Sequence, residues 1–219
     1  MKNVIAIDGP GGAGKSTIAK LLAKKLNYLH LDTGAMYRAV TLAAINENID
    51  FDDKEKLIKL AKKISITFNK NGEIILNDKN VSQEIRSSEV NAHVSKIAAV
   101  KGVRKVLVEK QQNLAQKNRV VMDGRDITTV VLPEAEHKFF LTASLAERAK
   151  RRYQEVKSKN NDADLEEIKK SIARRDKLDS EREHSPLKKA EDAVLIDTTE
   201  LSIDEVLKKM ISLIEGENH

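Results

Sequence analysis

The sequence has 219 residues, and its 39 Lys and Arg against 34 Asp and Glu give a formal net charge of +5 and a pI near 9.2. The absence of cysteine excludes disulfides and thiolate metal sites. Phe, Trp and Tyr make up only 3% of the chain, so the stacking surfaces of single-strand nucleic-acid binding are scarce, and we expect the positive charge to serve a smaller anion.

No apolar run approaches the length of a membrane span, and the run after Met1-Lys2-Asn3 is too short for a signal peptide. We therefore expect a cytoplasmic protein that binds neither a membrane nor a nucleic acid. A chain of this length can form one sizeable α/β core with inserted subdomains.

The first elements are a strand, a glycine-rich turn and a helix. Residues 4–7 are a short apolar run of strand type, and residues 16–26 carry apolar side chains at helical spacing. The turn between them reads Gly-Pro-Gly-Gly-Ala-Gly-Lys-Ser and matches the G-x-x-x-x-G-K-[ST] pattern of a phosphate-binding loop, or P-loop. Glycines let backbone N–H groups surround phosphate oxygens, Lys15 can reach the β- and γ-phosphates, and the Ser16 hydroxyl can ligate Mg²⁺. The residues predicted to bind ATP are Gly9, Pro10, Gly11, Gly12, Ala13, Gly14, Lys15, Ser16 and Thr17.

After this turn, short apolar runs that predict strands alternate with longer stretches that predict helices. Further strands are predicted at residues 28–31, 64–68, 73–76, 81–86, 120–122, 139–141 and 194–197. Further helices are predicted at residues 33–46, 53–64, 88–100, 103–117, 144–156, 165–182 and from the capping box at 202–205 onwards. This alternation predicts an α/β fold, a mostly parallel sheet of the P-loop NTPase type flanked by helices.

Two segments interrupt the alternation. The strands between residues 64 and 86, with a hairpin turn at Asn71-Gly72, predict a small antiparallel insert. Two basic helices joined by the polar loop 157–164 suit a helical lid that excludes water during phosphoryl transfer. We divide the single domain, residues 1–219, into a core (1–33, 87–147 and 186–219), the insert (34–86) and the lid (148–185).

Asp123 directly follows the predicted strand at residues 120–122. A carboxylate at this edge of the sheet is the group that holds Mg²⁺ or its waters beside a P-loop, so Ser16 and Asp123 are the predicted metal ligands. A guanine-specific switch is disfavoured, because the nearest match to its base-reading motif, at residues 69–72, lacks the aspartate.

Two arginines point to a second anionic substrate. Arg38 and Arg125 both follow predicted strands, and arginines at one sheet edge can bind a phosphate bidentately. The residues favour a phosphotransferase but leave its acceptor open, so a kinase for another nucleotide or for a small metabolite is an alternative. A nucleic-acid-binding ATPase that uses the basic helices is a third, and its hydrolysis would be stimulated by DNA or RNA.

Together these motifs resemble the bacterial cytidylate (CMP/dCMP) kinase family of P-loop nucleoside monophosphate kinases. The resemblance rests on residues 7–15, 31–38, 123–127 and 174–182 and spans essentially the whole chain. The Asp-Gly-Arg-Asp element at residues 123–126 and the three-stranded insert separate this family from adenylate kinases, which have Phe-Pro after Asp-Gly. The resemblance implies phosphorylation of CMP and dCMP by ATP with Mg²⁺ and a monophosphate-binding role for the insert at residues 34–86, and we expect a monomer.

The resemblance also implies roles for individual residues. The implied substrate-binding residues are Thr33, Arg38 and Arg125 at the CMP phosphate, Ser95, Arg104 and Asp126 at the cytosine, and Asp179 and Arg182 at the sugar. The implied lid residues are Arg148, Arg152 and Arg175. Because the acceptor phosphate is already ionised, no general base is needed, and catalysis is expected to rest on charge stabilisation. The predicted catalytic residues are Lys15, Asp123, Arg125, Arg148 and Arg152.

Overall fold

The computed structural model describes residues 1–158 and 162–216. The strands are β1 (Val4–Asp8), β2 (Leu29–Asp32), β3 (Ile66–Phe68), β4 (Ile74–Leu76), β5 (Lys79–Asn80), β6 (Val120–Asp123), β7 (His137–Thr142) and β8 (Val194–Asp197). The helices are α1 (Lys15–Leu26), α2 (Thr33–Asn46), α3 (Lys54–Lys63), α4 (Ser88–Ala99), α5 (Lys101–Lys117), α6 (Leu145–Lys157), α7 (Leu165–Glu181) and α8 (Ile203–Glu215). A 3₁₀ turn at Glu84–Arg86 and a π-helical turn at Ile127–Val131 are also present.

Five strands form a parallel sheet in the order β2-β6-β1-β7-β8. Successive side chains of a strand point to opposite faces. Ile5 and Ile7 pack with α1 and α8 on one face, and Val4 and Ala6 pack with α5 on the other. Helices therefore cover both faces, as is typical of parallel sheets, and the predicted α/β architecture is confirmed.

The insert is a separate antiparallel sheet of β3, β4 and β5, as the alternating pattern predicted. Its first turn contains Gly72, whose φ of +73° is a left-handed conformation that glycine adopts without strain. Ile66, Ile74 and Leu76 belong to an apolar cluster that also includes side chains of α2, α3, α4 and α5.

The third strand of the insert lies earlier than the sequence predicted. Asn77 and Asp78 have φ of +45° and +65°, and a two-residue turn of this kind returns the chain at once into β5. The strand predicted at residues 81–86 is therefore wrong. The prediction followed the apolar residues Val81 and Ile85, which are buried but lie outside β5.

The predicted helical hairpin consists of α6 and α7, which contact each other. In α6 only Arg148 and Ala149 are buried, and α7 has no buried residue. Part of the predicted polar loop, residues 159–161, lies outside the described residues. Within residues 1–158 and 162–216, none of the helices has the length and apolar character of a membrane-spanning segment.

Candidate active site

The P-loop joins the carboxyl end of β1 to α1, and its glycines allow close backbone contacts. Gly9 has a φ of +146°, and a Cβ there would lie 1.9 Å from the carbonyl oxygen of Leu141. Gly12 and Gly14 have φ of +80° and +84°, which other residues rarely adopt. Among the residues that the structure describes, no side chain caps the amino terminus of α1, so its first N–H groups are available to an anion.

Lys15 begins α1, and its side chain folds back into the loop. Its Nζ donates to the Pro10 carbonyl oxygen at 2.7 Å, and the residue is only 5% exposed. Burial, followed by the positive charge of Arg125, lowers the pKa of Lys15 to about 7. A phosphate beside Nζ would raise this pKa again, because an opposite charge favours the protonated amine.

Asp123 ends β6 beside the first turn of α1. Ser16 Oγ donates to Asp123 Oδ2 at 2.6 Å, and His30 Nε2 lies 2.7 Å from Oδ1. Burial acts to raise the pKa of Asp123, but the hydrogen bonds from His30 and Ser16 and the charges of His30 and Lys15 outweigh it and lower the pKa. The carboxylate therefore stays ionised next to the Ser16 hydroxyl.

These two oxygen ligands fit Mg²⁺ bound together with a nucleotide. In phosphoryl-transfer sites Mg²⁺ is usually held by one or two protein oxygens, while phosphates and waters complete the coordination. The Ser16 hydroxyl and the Asp123 carboxylate would supply the protein oxygens. Within residues 1–158 and 162–216, no group of three or more Asp, Glu or His is arranged to hold a metal ion.

The amino terminus of α2 lies against Asp123. Thr33 Oγ1 donates to the Asp123 backbone carbonyl at 2.8 Å, and the Asp32 side chain caps the helix by accepting from Ala35 N at 3.0 Å. Burial and the nearby Asp123 carboxylate raise the pKa of Asp32. A Cβ at Gly124 would lie 2.4 Å from Thr33 Oγ1, so this glycine permits the close contact.

Cationic side chains converge near the P-loop, and their mutual repulsion appears in their pKa values. Burial, followed by the charge of Arg175, lowers the pKa of Arg38 to about 10, and Arg152 contributes to the shift. Arg175 is only partly shielded from water, and this partial desolvation and the charge of Arg125 lower its pKa. The charges of Arg125 and Arg175 also lower the pKa of Lys15. A group of mutually repelling cations is a strong attractor for phosphates.

Asp126 is a buried carboxylate between two arginines. Arg104 of α5 donates a hydrogen bond to Oδ2, and Arg182 NH2 lies 3.9 Å from Oδ1. The Arg104 guanidinium lies 5.4 Å from the centroid of the Tyr37 ring, a cation–π contact. Burial raises the pKa of Tyr37 to about 12, so its phenol stays neutral.

The same cluster contains hydrogen-bond donors that are not used. Arg104 Nε and Arg182 NH2 are buried and have no hydrogen-bond partner within the described part of the chain. Unsatisfied buried donors are costly, and a bound ligand can satisfy them. Donors beside a carboxylate can pair with the edge of a polar heterocycle.

Asp179 of α7 links the Asp126 cluster to Arg125. It accepts from Arg125 Nε at 3.0 Å, and Arg182 NH1 lies 3.5 Å from its other oxygen. The structure thus brings together five residues predicted for the phosphate, the base and the sugar, namely Arg104, Arg125, Asp126, Asp179 and Arg182.

The segment that carries Asp126 is anchored on Asp8, at the end of β1. The Asp8 carboxylate accepts from the backbone N–H groups of Ile127 and Thr128 at 2.9 and 2.7 Å and from the Thr128 hydroxyl at 2.6 Å. Burial raises the pKa of Asp8, although these hydrogen bonds oppose it. The hydrogen bonds to Asp8 fix the start of the π-helical turn, and they thereby fix the backbone next to Asp126.

Arg148 attaches α6 to the P-loop. Its guanidinium donates to the carbonyl oxygens of Ala143 at 2.9 Å and Gly11 at 3.0 Å, and it pairs with Asp176 of α7. Arg152 lies one turn further along α6, where it is exposed and hydrogen-bonds Glu155 at 2.7 Å.

Arg38 NH1 donates to Asn91 Oδ1 at 2.6 Å, and within the described residues no hydrogen bond joins Arg38 or Thr33 to the Asp126 cluster. Ser95 is a third predicted substrate residue outside that cluster. It is exposed on α4, and no hydrogen bond described within residues 1–158 and 162–216 joins it to Asp126 or Arg104. Its contact with cytosine stays a prediction.

Sequence reasoning missed His30, Asp8 and Thr198. The Thr198 hydroxyl lies 3.3 Å from the Ala13 carbonyl oxygen of the P-loop and accepts from Arg151 NH1 at 3.0 Å. Polar residues inside or at the end of apolar strand runs were the available signal for His30 and Asp8. No local pattern reveals Thr198, because its partners are far away in the sequence.

These contacts define a P-loop phosphotransferase in which a cluster of arginines and carboxylates lies near the P-loop. The sequence model of the cytidylate kinase family matches residues 5–216. Cytidylate kinases of Bacillus cereus and Bacillus thuringiensis are 53% and 52% identical to this chain over 216 residues, which cover 97% of the chain and 96% of each relative. The chain belongs to the cytidylate kinase family.

Solved structures give a more distant similarity. An uncharacterized protein from Eubacterium ventriosum superposes with a TM-score of 0.55 at 15% identity, covering 98% of this chain and 99% of that protein. A shikimate kinase from Bacteroides thetaiotaomicron superposes with a TM-score of 0.51 at 14% identity, covering 97% and 98%. At these identities the likeness concerns the fold alone.

Proposed function

We propose that this protein transfers the γ-phosphoryl group of ATP to CMP and dCMP, forming CDP and dCDP. Membership of the cytidylate kinase family supports this activity. The observation that carries the choice of base is the buried Asp126 carboxylate between Arg104 and Arg182. An ionised carboxylate can accept from the exocyclic amino group of cytosine, and it has nothing to donate to the carbonyl that uracil carries instead.

ATP binds at the P-loop in this proposal. The loop N–H groups and Lys15 hold the β- and γ-phosphates, and Ser16 and Asp123 hold Mg²⁺. When bound, Mg²⁺ neutralises charge on the β- and γ-phosphates and so stabilises the transition state. The low pKa of Lys15 supports this assignment, since the amine becomes fully charged only beside an anion.

The acceptor binds on the other side of Asp123. Arg38, Arg125 and the amino terminus of α2 at Thr33 hold the CMP phosphate. Asp126 accepts from the cytosine amino group, and the unused donors of Arg104 and Arg182 serve the ring acceptors and the sugar. Asp179 also faces the sugar, and Ser95 adds a contact to the base.

In the transfer step an oxygen of the CMP phosphate attacks the γ-phosphorus of ATP in line. The bond between that phosphorus and the bridging oxygen of ADP breaks, and the electron pair stays on ADP. No proton has to be moved, because the attacking oxygen is already ionised. The positive side chains that stabilise the spreading charge are Lys15, Arg125, Arg148 and Arg152. The hairpin of α6 and α7 acts as the lid that excludes water.

We further propose that the enzyme acts as a monomer in the cytoplasm and does not use nucleic acid. The absence of cysteine fits a reducing compartment. The arginines near the P-loop form a compact site for phosphates.

A panel of acceptors in one coupled ADP assay tests the proposal. CMP and dCMP should be phosphorylated efficiently, and UMP, AMP and shikimate poorly or not at all. DNA and RNA should leave ADP formation unchanged. Faster turnover with a polynucleotide and none with any monophosphate would refute the proposal, and a clear preference for another acceptor would refute the assignment of CMP.

A further inference from the structure

His30 is a polar residue of the sheet that the proposed mechanism does not use. It lies in β2, between the apolar residues Leu29 and Leu31, and its side chain is 11% exposed. Its Nε2 is 2.7 Å from Asp123 Oδ1, across the pairing of β2 with β6.

The histidine and the P-loop serine occupy different oxygens of the same carboxylate. Ser16 Oγ donates to Asp123 Oδ2 at 2.6 Å, while His30 Nε2 faces Oδ1. The χ2 torsion of an aspartate, which sets the plane of its carboxylate, normally varies widely. A hydrogen-bond partner on each oxygen holds this torsion at one value. With His30 in place, Oδ2 is therefore the oxygen presented at the Ser16 hydroxyl.

The insert covers this histidine. A Cβ at Gly72, in the turn between β3 and β4, would lie 3.5 Å from both Cβ and Nδ1 of His30. The turn therefore lies beside the Nδ1 edge of the imidazole, while Nε2 faces Asp123. A histidine placed between neighbouring elements in this way is a suitable second partner for the carboxylate.

We propose that His30 is a positioning residue that orients the Asp123 carboxylate toward the Mg²⁺ of bound Mg-nucleotide. The inference rests on the proposed function for its nucleotide site, but it does not depend on the identity of the acceptor. His30 acts through Asp123 as a hydrogen-bond donor, and it touches neither the substrate nor the reacting atoms. Its removal should weaken the metal-dependent part of nucleotide binding and spare the metal-free part.

The test compares His30→Gln, whose amide can still reach Asp123 as a donor, with His30→Leu, which cannot donate. Matched controls are His137→Gln and His137→Leu, because His137 is a partly buried histidine at the amino end of β7, opposite the P-loop. ADP affinity is measured by calorimetry with and without Mg²⁺ in each protein. The Mg²⁺ effect is the ratio of the ADP dissociation constant without Mg²⁺ to that with Mg²⁺. We expect this ratio to be about tenfold smaller in His30→Leu than in the unmodified protein, because removing the support of a metal ligand weakens metal binding by such factors.

His30→Gln should keep most of the Mg²⁺ effect, and both His137 variants should keep all of it. If His30→Leu does not fold, His30→Asn replaces it, because the shorter amide does not reach Asp123. An unchanged Mg²⁺ effect in the variant that lacks a donor would overturn the proposal, and so would an equal loss of ADP affinity with and without Mg²⁺. Failure to phosphorylate CMP would refute the proposed acceptor and leave this measurement interpretable.

Discussion

Lys15 and its neighbours explain how a buried site can attract a highly charged substrate. The amine is enclosed by protein and close to Arg125 and Arg175, so its charged form is disfavoured before a nucleotide arrives. The phosphates of ATP supply the negative charge that the surroundings lack. Binding and protonation are therefore linked at this residue.

This linkage predicts proton uptake on ATP binding. With a pKa of about 7, Lys15 is mostly neutral at pH 8 and becomes charged beside the phosphates, so about 0.9 proton should be taken up per ATP bound. Affinity should then weaken as the pH rises above 7, by up to about tenfold per pH unit, because each binding event needs a proton. Calorimetry in buffers of different ionisation enthalpy measures the uptake.

Lys15→Met provides the reference, since it leaves only the proton exchange of the nucleotide phosphates and of the other side chains. The same variant should lose at least about 10²-fold in kcat, because the transition-state charge loses a close partner. Equal proton uptake in the two proteins would show that Lys15 does not titrate with binding.

Asp126 carries the prediction on base specificity. Asp126→Asn keeps the size of the side chain but removes its charge, and its amide can rotate to donate. We expect kcat/KM for CMP to fall about 10²-fold and the CMP/UMP ratio to shrink by at least about tenfold, because specificity built on paired polar groups is sharp. Steady-state kinetics with both acceptors measure the ratio.

Asp192→Asn is a suitable control for this substitution, since Asp192 is exposed and pairs with Lys138 away from the cluster. The loss of charge beside buried Arg104 should also lower thermal stability, and CMP should restore part of it. The base assignment fails if the CMP/UMP ratio is the same before and after substitution.

At the scale of elements, the hairpin of α6 and α7 combines a fixed end with an exposed one. Arg148 is tied to the Gly11 carbonyl of the P-loop and to Asp176 of α7. Arg152 is exposed, and its described ion pair is a surface contact with Glu155. Arg152 is therefore a residue that closure could bring to the phosphates without disturbing the fold.

Arg152→Ala should slow phosphoryl transfer about 10- to 100-fold and leave the dissociation constant of CMP nearly unchanged. Stability should change by less than about 0.5 kcal/mol, because an exposed ion pair contributes little. Rapid-quench kinetics and equilibrium CMP binding separate the two effects, with the exposed Lys150→Ala of the same helix as the control. Loss of CMP binding with an intact chemical step would make Arg152 an acceptor residue.

Elements whose signals are local could be predicted, and those that depend on distant partners could not. The P-loop and the last helix are examples of the first kind, since the capping box of Ser202 and Glu205 forms as its four-residue pattern indicates. The π-helical turn after Asp126 is of the second kind, because its backbone is held by Asp8 from another strand. The polar strand β5 had no apolar alternation to reveal it.

The candidate site follows the same division. Residues of the P-loop and of the Asp-Gly-Arg-Asp element are close in sequence, and their motifs located them. His30 and Asp123 are 93 residues apart in the sequence, and their contact joins the strands β2 and β6. A histidine in a buried strand carries no sign of which carboxylate it will meet, so only the register of β2 with β6 reveals the pair.

At the scale of the whole molecule, the insert and the core sheet share a continuous apolar interior. The helix α5 contributes Val103 and Leu107 to the cluster of the insert and Ala115 to the cluster under the sheet. Phe68 and Leu114 pack against both clusters. Loss of packing in one cluster should therefore destabilise the other. This predicts that the insert and the core unfold as one cooperative unit.

Two buried leucines test this cooperativity. Leu57 belongs to the insert cluster and Leu22 packs α1 on the sheet, and both are fully buried. Leu57→Ala and Leu22→Ala should each lower the free energy of unfolding by about 2–5 kcal/mol, because each leaves a cavity in a close-packed interior. In calorimetry each variant should give a single transition whose van't Hoff and calorimetric enthalpies agree. Two resolved transitions in Leu57→Ala, with the insert exchanging its amide hydrogens before the sheet does, would mean that the insert melts separately and that α5 does not couple the two parts.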